Sequence, residues 1–180
     1  MNSNRTLTIK LLALLILSLL SFSTNYAQEN DQNKYPLLED VQTLDGIIKA
    51  YYEVISGPGG QARDWKRDAS LHHPNAFIAM TGKNKKQNPY IVAQSLAEYH
   101  ESFGTPKNGF FEYEIHREVN HFGNITHVWS TYETKKENNG PVTARGINSI
   151  QLYNDGTRWW ILSWIFDSER PDNPIPKKQT

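Results

Sequence analysis

Apolar residues recur at helical spacing in the first part of the chain. Steps of four and three positions separate Leu37, Val41, Leu44, Ile48, Tyr51 and Ile55. This spacing predicts one amphipathic helix, which Pro36 begins because proline suits a first helical position. The glycine-rich segment SGPGG at 56–60 ends the helix.

Two further helices are predicted ahead of the sheet. A shorter helix with many charged residues covers 62–71, and a third begins after Asn88 and Pro89 and ends at Gly104. The apolar stripe of the third helix consists of Val92, Leu96, Tyr99 and Phe103. Between these two helices, the apolar run 77–80 predicts a short strand.

Four strands are predicted in the second part of the chain, where apolar and polar residues alternate. They cover the ranges 110–120, 125–136, 143–153 and 158–167, and the turn sequences HFGN, ENNGP and NDG separate them. Such short connections join antiparallel strands, because parallel strands need long crossovers. Three helices followed by four such strands predict an α+β fold, a curved antiparallel sheet with the helices packed on its concave face.

The first 27 residues have the layout of a secretory signal peptide. Arg5 and Lys10 precede an unbroken apolar run at 11–20, and a polar segment then ends at the small residue Ala27. A transmembrane helix needs about 20 apolar residues, so the run is short for the alternative, an uncleaved membrane anchor. The chain is therefore predicted to be exported, to a periplasm or to the medium. The predicted parts are a signal peptide at 1–27, a flexible linker at 28–36, the domain at 37–168 and a proline-rich C-terminal tail at 169–180.

Composition excludes several classes of function. The chain has no cysteine, which rules out disulfides, thiol nucleophiles and cysteine-bound metals. Basic and acidic residues number 19 each, and two basic residues lie in the leader, so the exported chain has no electrostatic reason to bind nucleic acid or an anionic membrane. Metal-binding histidine spacings, a phosphate-binding glycine loop and a serine-hydrolase elbow are missing as well. We expect no metal, no cofactor, no nucleic-acid partner and no membrane association after signal cleavage.

Three stretches of the chain resemble the nuclear transport factor 2-like superfamily, especially its SnoaL-like and ketosteroid-isomerase-like members. They are IIKAYYEVISG followed shortly by DW, then LHHPNAF, and finally RGINSIQLYNDGTRWWILSW. Similar stretches in that family form the first helix and its exit, the end of the second helix, and a last hairpin with a G-x-W-x-I strand. The resemblance covers residues 37–168 and implies a cone-shaped fold. That fold hosts isomerases, cyclases, dehydratases, inactive subunits and binding modules, so it does not identify a function.

The resemblance also implies that one side of the last strands faces a pocket under the helices. Alternate residues of a strand point the same way. The set predicted to face inward contains Gly146, Asn148, Ile150, Leu152, Trp160, Leu162, Trp164 and Phe166, with Val128, Ser130 and Tyr132 from the preceding strand. The set predicted to face outward contains Trp129, Ile147, Trp159 and Ile161. The apolar character of the outward set predicts a homodimer through the outer sheet face, with a monomer as the alternative.

Ketosteroid isomerases use a general-base aspartate and two hydrogen-bond donors, a tyrosine and a protonated aspartic acid. By resemblance, Met80 occupies the position of the base or lies beside it, and a methionine cannot accept a proton. Tyr51 matches the tyrosine, although it also fits a plain core position in its helix. Asn148 matches the second donor, and an amide can donate to an oxyanion. Two donors without a base favour ligand binding over catalysis.

Histidines and acids are the remaining candidates for acid–base chemistry. His73, or its neighbour His72, ends the second helix near the predicted pocket mouth, where a capping or surface position is the alternative. His116 shares a strand parity with Glu112 and Glu114, and such a cluster can tune an imidazole near neutral pH. The alternative is a solvated strip of an outer strand.

The candidate ligand-binding residues combine aromatic walls with a few polar groups. They are Tyr51, Trp65, His73, Phe103, Val128, Ser130, Tyr132, Asn148, Trp160 and Trp164. A concave apolar site of this kind is typical of a small-molecule-binding protein, here with an apolar or polycyclic small molecule as partner. Two alternatives stay open. One is a cofactor-independent isomerase, cyclase or dehydratase, and the other is a protein-interaction module that uses the sheet face.

Overall fold

The computed structural model describes residues 34–179, so the predicted signal peptide and most of the predicted linker lie outside the described residues. Residues 34–179 contain four α-helices: α1 (Leu38–Val41), α2 (Leu44–Ile55), α3 (Trp65–Leu71) and α4 (Leu96–Phe103). The strands are β1 (His72–Lys83), β2 (Pro89–Ser95), β3 (Phe111–Phe122), β4 (Ile125–Lys135), β5 (Val142–Asn154) and β6 (Trp159–Ser168), and a short 3₁₀ helix covers Lys177–Gln179. None of the helices in this part of the chain is long and apolar enough to cross a membrane.

The six strands form one open mixed sheet in the order β2-β1-β6-β5-β4-β3. Strands β3 to β6 form the predicted antiparallel meander, whereas β1 pairs in parallel with β6 and antiparallel with β2. The α+β prediction is confirmed, but the prediction of an antiparallel sheet is wrong at the β1–β6 pair. Parallel pairing occurs there because β2, α4 and three strands separate β1 from β6 and supply the long connection that it requires.

The predicted first helix is interrupted between α1 and α2. Thr43 is the N-cap of α2, and its hydroxyl accepts a hydrogen bond from the Gly46 amide at 2.9 Å. Gly46 allows the two helices to pack closely, because a Cβ atom there would lie 2.2 Å from the carbonyl oxygen of Glu39. The apolar stripe continues across the break, so its periodicity gave no sign of the interruption.

The predicted third helix consists of a strand followed by a shorter helix. Residues 89–95 pair with β1 as strand β2, and α4 begins only after Ser95. Ser95 accepts a hydrogen bond from the Glu98 amide, while the Glu98 carboxylate accepts one from the Ser95 amide, which is a capping box. Apolar spacing also fitted one longer helix, but the aromatic and β-branched residues at 90–92 favour a strand. The short strand predicted at 77–80 is the middle of β1.

The helices cover one face of the sheet, called the inner face below. Ile48 and Tyr51 of α2 pack there against Ile150, Leu152 and Trp164 in a single buried core. Because the four α-helices lie on this side of the sheet, a cavity can form between them and the inner face.

Arg63 fixes the loop that follows α2. Its guanidinium donates to four backbone carbonyl oxygens, those of Ile55, Gly57, Pro58 and Gln61, at 2.8–3.2 Å. Carbonyl groups at a helix end lack partners within the helix, so the buried arginine satisfies them. The C-terminal end of α2 is thereby held in place above the sheet.

A β-bulge at Leu162 changes which residues of β6 face inward. Gln151 of β5 pairs with Ser163, whereas the next residue, Leu152, pairs with Ile161. Leu162 therefore has no partner on β5, and the alternation of side chains shifts by one position at the bulge.

Because of this bulge, part of the predicted inward set is wrong. Trp164 lies beyond it and is buried on the inner face, as predicted. Trp159 and Ile161, predicted to face outward, pack on the inner core instead. Trp160, predicted to face inward, lies on the opposite side, where its indole donates to the Asp155 carboxylate at 2.8 Å.

Strands β4 and β5 have the predicted orientation. Val128, Asn148 and Ile150 are buried on the inner face, and Trp129 and Ile147 lie on the outer face. The C-terminal segment crosses this outer face, because the Trp129 indole donates to the side-chain oxygen of Gln179 at 2.9 Å.

Candidate ligand-binding site

A cavity of about 180 Å³ lies between the inner face of the sheet and helices α2 and α4. The residues that line it are Tyr51, Ile55, Met80, Tyr99, Phe103, Phe110, Glu112, Asn148, Trp164 and Phe166. Six of the ten are aromatic. Apart from the tyrosine hydroxyls, the polar groups of the lining are the Glu112 carboxyl and the Asn148 amide.

The aromatic rings of the cavity wall pack against one another edge to face. Trp164 contacts Tyr51 and Tyr99, with ring centroids 5.7 and 5.0 Å apart, and Phe103 contacts Phe110 at 5.7 Å. Edge-to-face pairs stabilise by about 0.5–1.5 kcal/mol beyond their buried area. The walls are therefore held in place before any ligand enters.

Trp164 is anchored from behind the cavity by a buried histidine. Its indole Nε1 donates to His72 Nε2 at 3.2 Å, so the imidazole proton resides on Nδ1. That Nδ1 donates to the carbonyl oxygen of Asp68 at 2.9 Å. His72 and Asp68 are both buried, and together they fix the orientation of the Trp164 ring.

Asp68 also connects α3 to α4. Its carboxylate Oδ2 lies 2.5 Å from His100 Nε2, and the His100 ring stacks on Trp65 with centroids 4.5 Å apart. Trp65 in turn packs edge to face against Phe103 at 5.3 Å. Trp65 therefore supports the cavity wall from outside and does not line the cavity.

A chain of buried hydrogen bonds forms the polar edge of the cavity. The Asn148 amide donates to Glu112 Oε1 at 3.3 Å and to the Tyr52 hydroxyl at 3.1 Å. The Tyr52 hydroxyl lies 2.6 Å from Ser130 Oγ, and Ser130 donates to Glu114 Oε1 at 2.5 Å. Because Ser130 donates to Glu114, Tyr52 donates to Ser130. The chain joins α2 to three neighbouring strands.

Glu112 is held in the protonated form. Burial raises the pKa of its carboxyl group to about 8, and the hydrogen bond from Asn148 opposes that rise. No ion pair in residues 34–179 includes Glu112. At neutral pH the carboxyl is therefore mainly a neutral acid, which can both donate and accept a hydrogen bond.

The structure brings four of the ten candidate residues together around the cavity. These are Tyr51, Phe103, Asn148 and Trp164. Three others, Val128, Ser130 and Tyr132, are buried on the inner face without lining the cavity. The remaining three, Trp65, His73 and Trp160, lie elsewhere, and the rings of His73 and Trp160 face each other at 6.0 Å.

Glu112 is the polar cavity residue that is missing from the predicted ligand-binding residues. The sequence grouped it with Glu114 and His116 on one strand face. A β-bulge at Ile115 puts His116 opposite Thr131 on the outer face, while the two glutamates face inward. The expected carboxylate–imidazole cluster does not form. The signal in the sequence was that Glu112 directly follows two phenylalanines on a predicted strand, because such apolar neighbours indicate a buried position.

The position implied for the isomerase base lies in the cavity wall but holds no base, and the described residues form no metal-binding group. Met80, at the position implied for the isomerase base, does line the cavity, and its thioether cannot act as a base. Nowhere in residues 34–179 do three histidine, aspartate or glutamate side chains form a group that could hold a metal ion.

Comparison with known proteins supports the fold. No protein-family model and no curated protein sequence matches the chain. Among solved structures, a protein of unknown function with a cystatin-like fold from Nostoc punctiforme is 7% identical with a TM-score of 0.53, and the match covers 71% of this chain and 90% of that one.

A second solved structure is similar to the same degree. It is described as the beta subunit of an aromatic-ring-hydroxylating dioxygenase from Novosphingobium aromaticivorans, and it is 12% identical with a TM-score of 0.54. The match covers 73% of this chain and 94% of that one. At such identities the likeness concerns the fold and not the activity. The helices, the sheet order and these two structural matches show that the chain has a cystatin-like α+β fold, as the resemblance to the nuclear transport factor 2-like superfamily implied.

Proposed function

We propose that the protein binds a small organic molecule in the cavity of the inner face. The observation that carries this proposal is the meeting of six aromatic rings with one polar edge, formed by Glu112 and Asn148, in a single cavity. An apolar concavity with a few convergent polar groups is the usual form of a small-molecule site. The rings would hold the apolar part of the ligand, and the Glu112 carboxyl would orient its polar group.

The volume of the cavity restricts the size of the ligand. Drug-sized ligands occupy pockets of about 300–1,000 Å³, whereas a cavity of about 150 Å³ holds one benzene molecule. The cavity here, at about 180 Å³, therefore favours a single ring or a branched group of similar size. A polycyclic ligand, which the sequence led us to expect, exceeds this volume.

A cofactor-independent isomerase or dehydratase is the second candidate function. One observation favours it: Glu112 is a buried carboxyl group beside an apolar cavity, with a pKa raised to about 8. Carboxyl groups tuned in this way serve as general acids and bases in several enzymes. Exchange of deuterium from solvent into a bound cyclic ketone would distinguish this function from binding alone.

Binding should be detectable with ring-sized probes. We expect toluene, cyclohexanone or cyclohexylamine to stabilise the protein, by about 2.7 kcal/mol at a concentration 100 times the Kd. Isothermal titration calorimetry and thermal unfolding would measure this. Met80→Trp should abolish binding because the larger side chain fills the cavity. Phe77→Trp, on an exposed position of the same strand, is the matched control and should bind normally. Failure of all three probes to bind would contradict the proposal.

Glu112 should make the protein less stable as the pH rises from about 5 to 8. Its pKa is near 8 in the folded state and about 4.3 in an unfolded chain, so the folded state binds one more proton in this window. Stability then falls by about 1.4 kcal/mol per pH unit and becomes level above pH 8. Urea unfolding should show this slope in the difference between wild type and Glu112→Gln, which does not titrate. Parallel pH profiles of the two proteins would refute the assignment.

Homodimerisation through the outer sheet face stays a prediction. Trp129, Ile147 and Ile165 lie on that face and border a groove of about 450 Å³, whose opposite side contains Pro174 and Ile175. We expect sedimentation to show a dimer, and Ile147→Glu to shift it towards monomer. A wild-type monomer at high micromolar concentration would exclude this dimer.

Export likewise stays a proposal, supported by the layout of residues 1–27. We expect N-terminal sequencing of the protein secreted by a bacterial host to begin near Gln28. If most exported molecules retained Met1, the leader would not be a cleaved signal peptide.

A further inference from the structure

Within residues 34–179, Glu112 is a buried acid without a cationic partner, which suggests that the ligand carries a positive charge. Two cations, Lys49 and Arg117, border a neighbouring cavity that also touches Glu112. Lys49 is paired with Glu53, and the Arg117 guanidinium is bound to Glu114 Oε2 and Asp45 Oδ1. Burying a carboxylate alone is costly, so the group stays protonated as long as no cation pairs with it. A ligand that brought a positive charge would supply the missing partner.

The remaining walls of the cavity suit a cation as well. Six aromatic rings line it: Tyr51, Tyr99, Phe103, Phe110, Trp164 and Phe166. The faces of aromatic rings carry negative potential and attract ammonium groups, most strongly where water is excluded. Rings around one carboxyl group are the arrangement that recognises a substituted ammonium ion.

We propose that the ligand is a small organic cation, a substituted ammonium compound whose charged group lies among these rings and pairs with Glu112. This inference rests on the proposed binding function and specifies the ligand class. A trimethylammonium group is similar in size to a benzene ring, so it fits a cavity of about 180 Å³.

Cation binding would be coupled to release of a proton from Glu112. The neutral acid must ionise to pair with the ligand, so the affinity should increase about tenfold per pH unit between pH 6 and pH 8 and then become level. A neutral ligand that accepts a hydrogen bond from the acid should show the opposite trend, with no change below pH 8 and weaker binding above it.

Other titratable groups lie near Glu112, and their contribution to the pH dependence of binding must be distinguished from that of Glu112. Tyr51 and Tyr52 of α2, Tyr99 of α4 and Tyr132 of β4 lie within electrostatic range, and burial raises the pKa of each above the usual tyrosine value. They therefore stay neutral between pH 6 and pH 8. Behind Trp164, the group His72, Asp68 and His100 is unchanged in a Glu112 variant, so Glu112→Gln isolates the contribution of the carboxyl.

The test compares choline with its uncharged carbon analogue, 3,3-dimethylbutan-1-ol, on the full chain. Isothermal titration calorimetry at pH 6, 7 and 8 in buffers of different ionisation heat would measure both affinity and proton release. We expect choline to bind more tightly at higher pH and to release up to one proton at pH 6. Glu112→Gln should bind choline at least tenfold more weakly, lose the proton release and show no change of affinity between pH 6 and pH 8.

The outcomes separate this inference from the proposed function. If the alcohol, toluene or cyclohexanone binds but choline does not, the inference that the ligand is a cation is wrong, whereas the proposed binding function stands. If choline binds equally well to wild type and to a folded Glu112→Gln protein, the pairing with Glu112 is wrong. If none of these probes binds, both the inference and the proposed function fail.

Discussion

The two hydrogen bonds that the Asn148 amide donates hold the site together. One reaches Tyr52 on α2 and the other reaches Glu112 on β3, so a single side chain of β5 ties the helix layer to the sheet. Buried polar groups are stable only when they are hydrogen-bonded, and this amide uses both of its hydrogens within the protein. Asn148 therefore acts as a scaffold that positions Glu112, and the carboxyl is the group left to meet a ligand.

The bulges in β3 and β6 decide which side chains reach that scaffold. Ile161 and Trp164 are three positions apart, so strict alternation without a bulge would place one of them outside. With the bulge at Leu162, both are buried on the inner face. The bulge at Ile115 has the converse effect, because it turns His116 to the outer face and leaves Glu112 facing inward. Each bulge moves one residue out of register, and the composition of the cavity depends on both.

The elements that local patterns specify could be predicted from the sequence. Alternation of apolar residues gave the strands β3 to β6, and helical spacing gave most of α2. The parallel pairing of β1 with β6 depends on residues more than 80 positions apart, such as Ile78 and Trp164, and no local signal encodes it. The bulges were missed because a residue without a partner can be recognised only when the pairing with the neighbouring strand is known. Asn148 and Trp164 were found because the predicted alternation places both on the inner face, whereas Tyr51 and Phe103 belong to the apolar stripes of their helices.

Glu112 is better explained by a functional role than by a structural one. A buried acid with a raised pKa destabilises the folded state above the pKa of the unfolded chain, and an apolar side chain of similar size would avoid that cost. Asn148 would still keep Tyr52 as a partner, and Tyr52 is linked through Ser130 to Glu114, so the layers of the fold would stay connected. Proteins accept such local instability where a binding or catalytic group requires it. The position of Glu112 on the cavity wall, with its second oxygen outside the Asn148 bond, supports the proposal that its carboxyl group contacts the ligand.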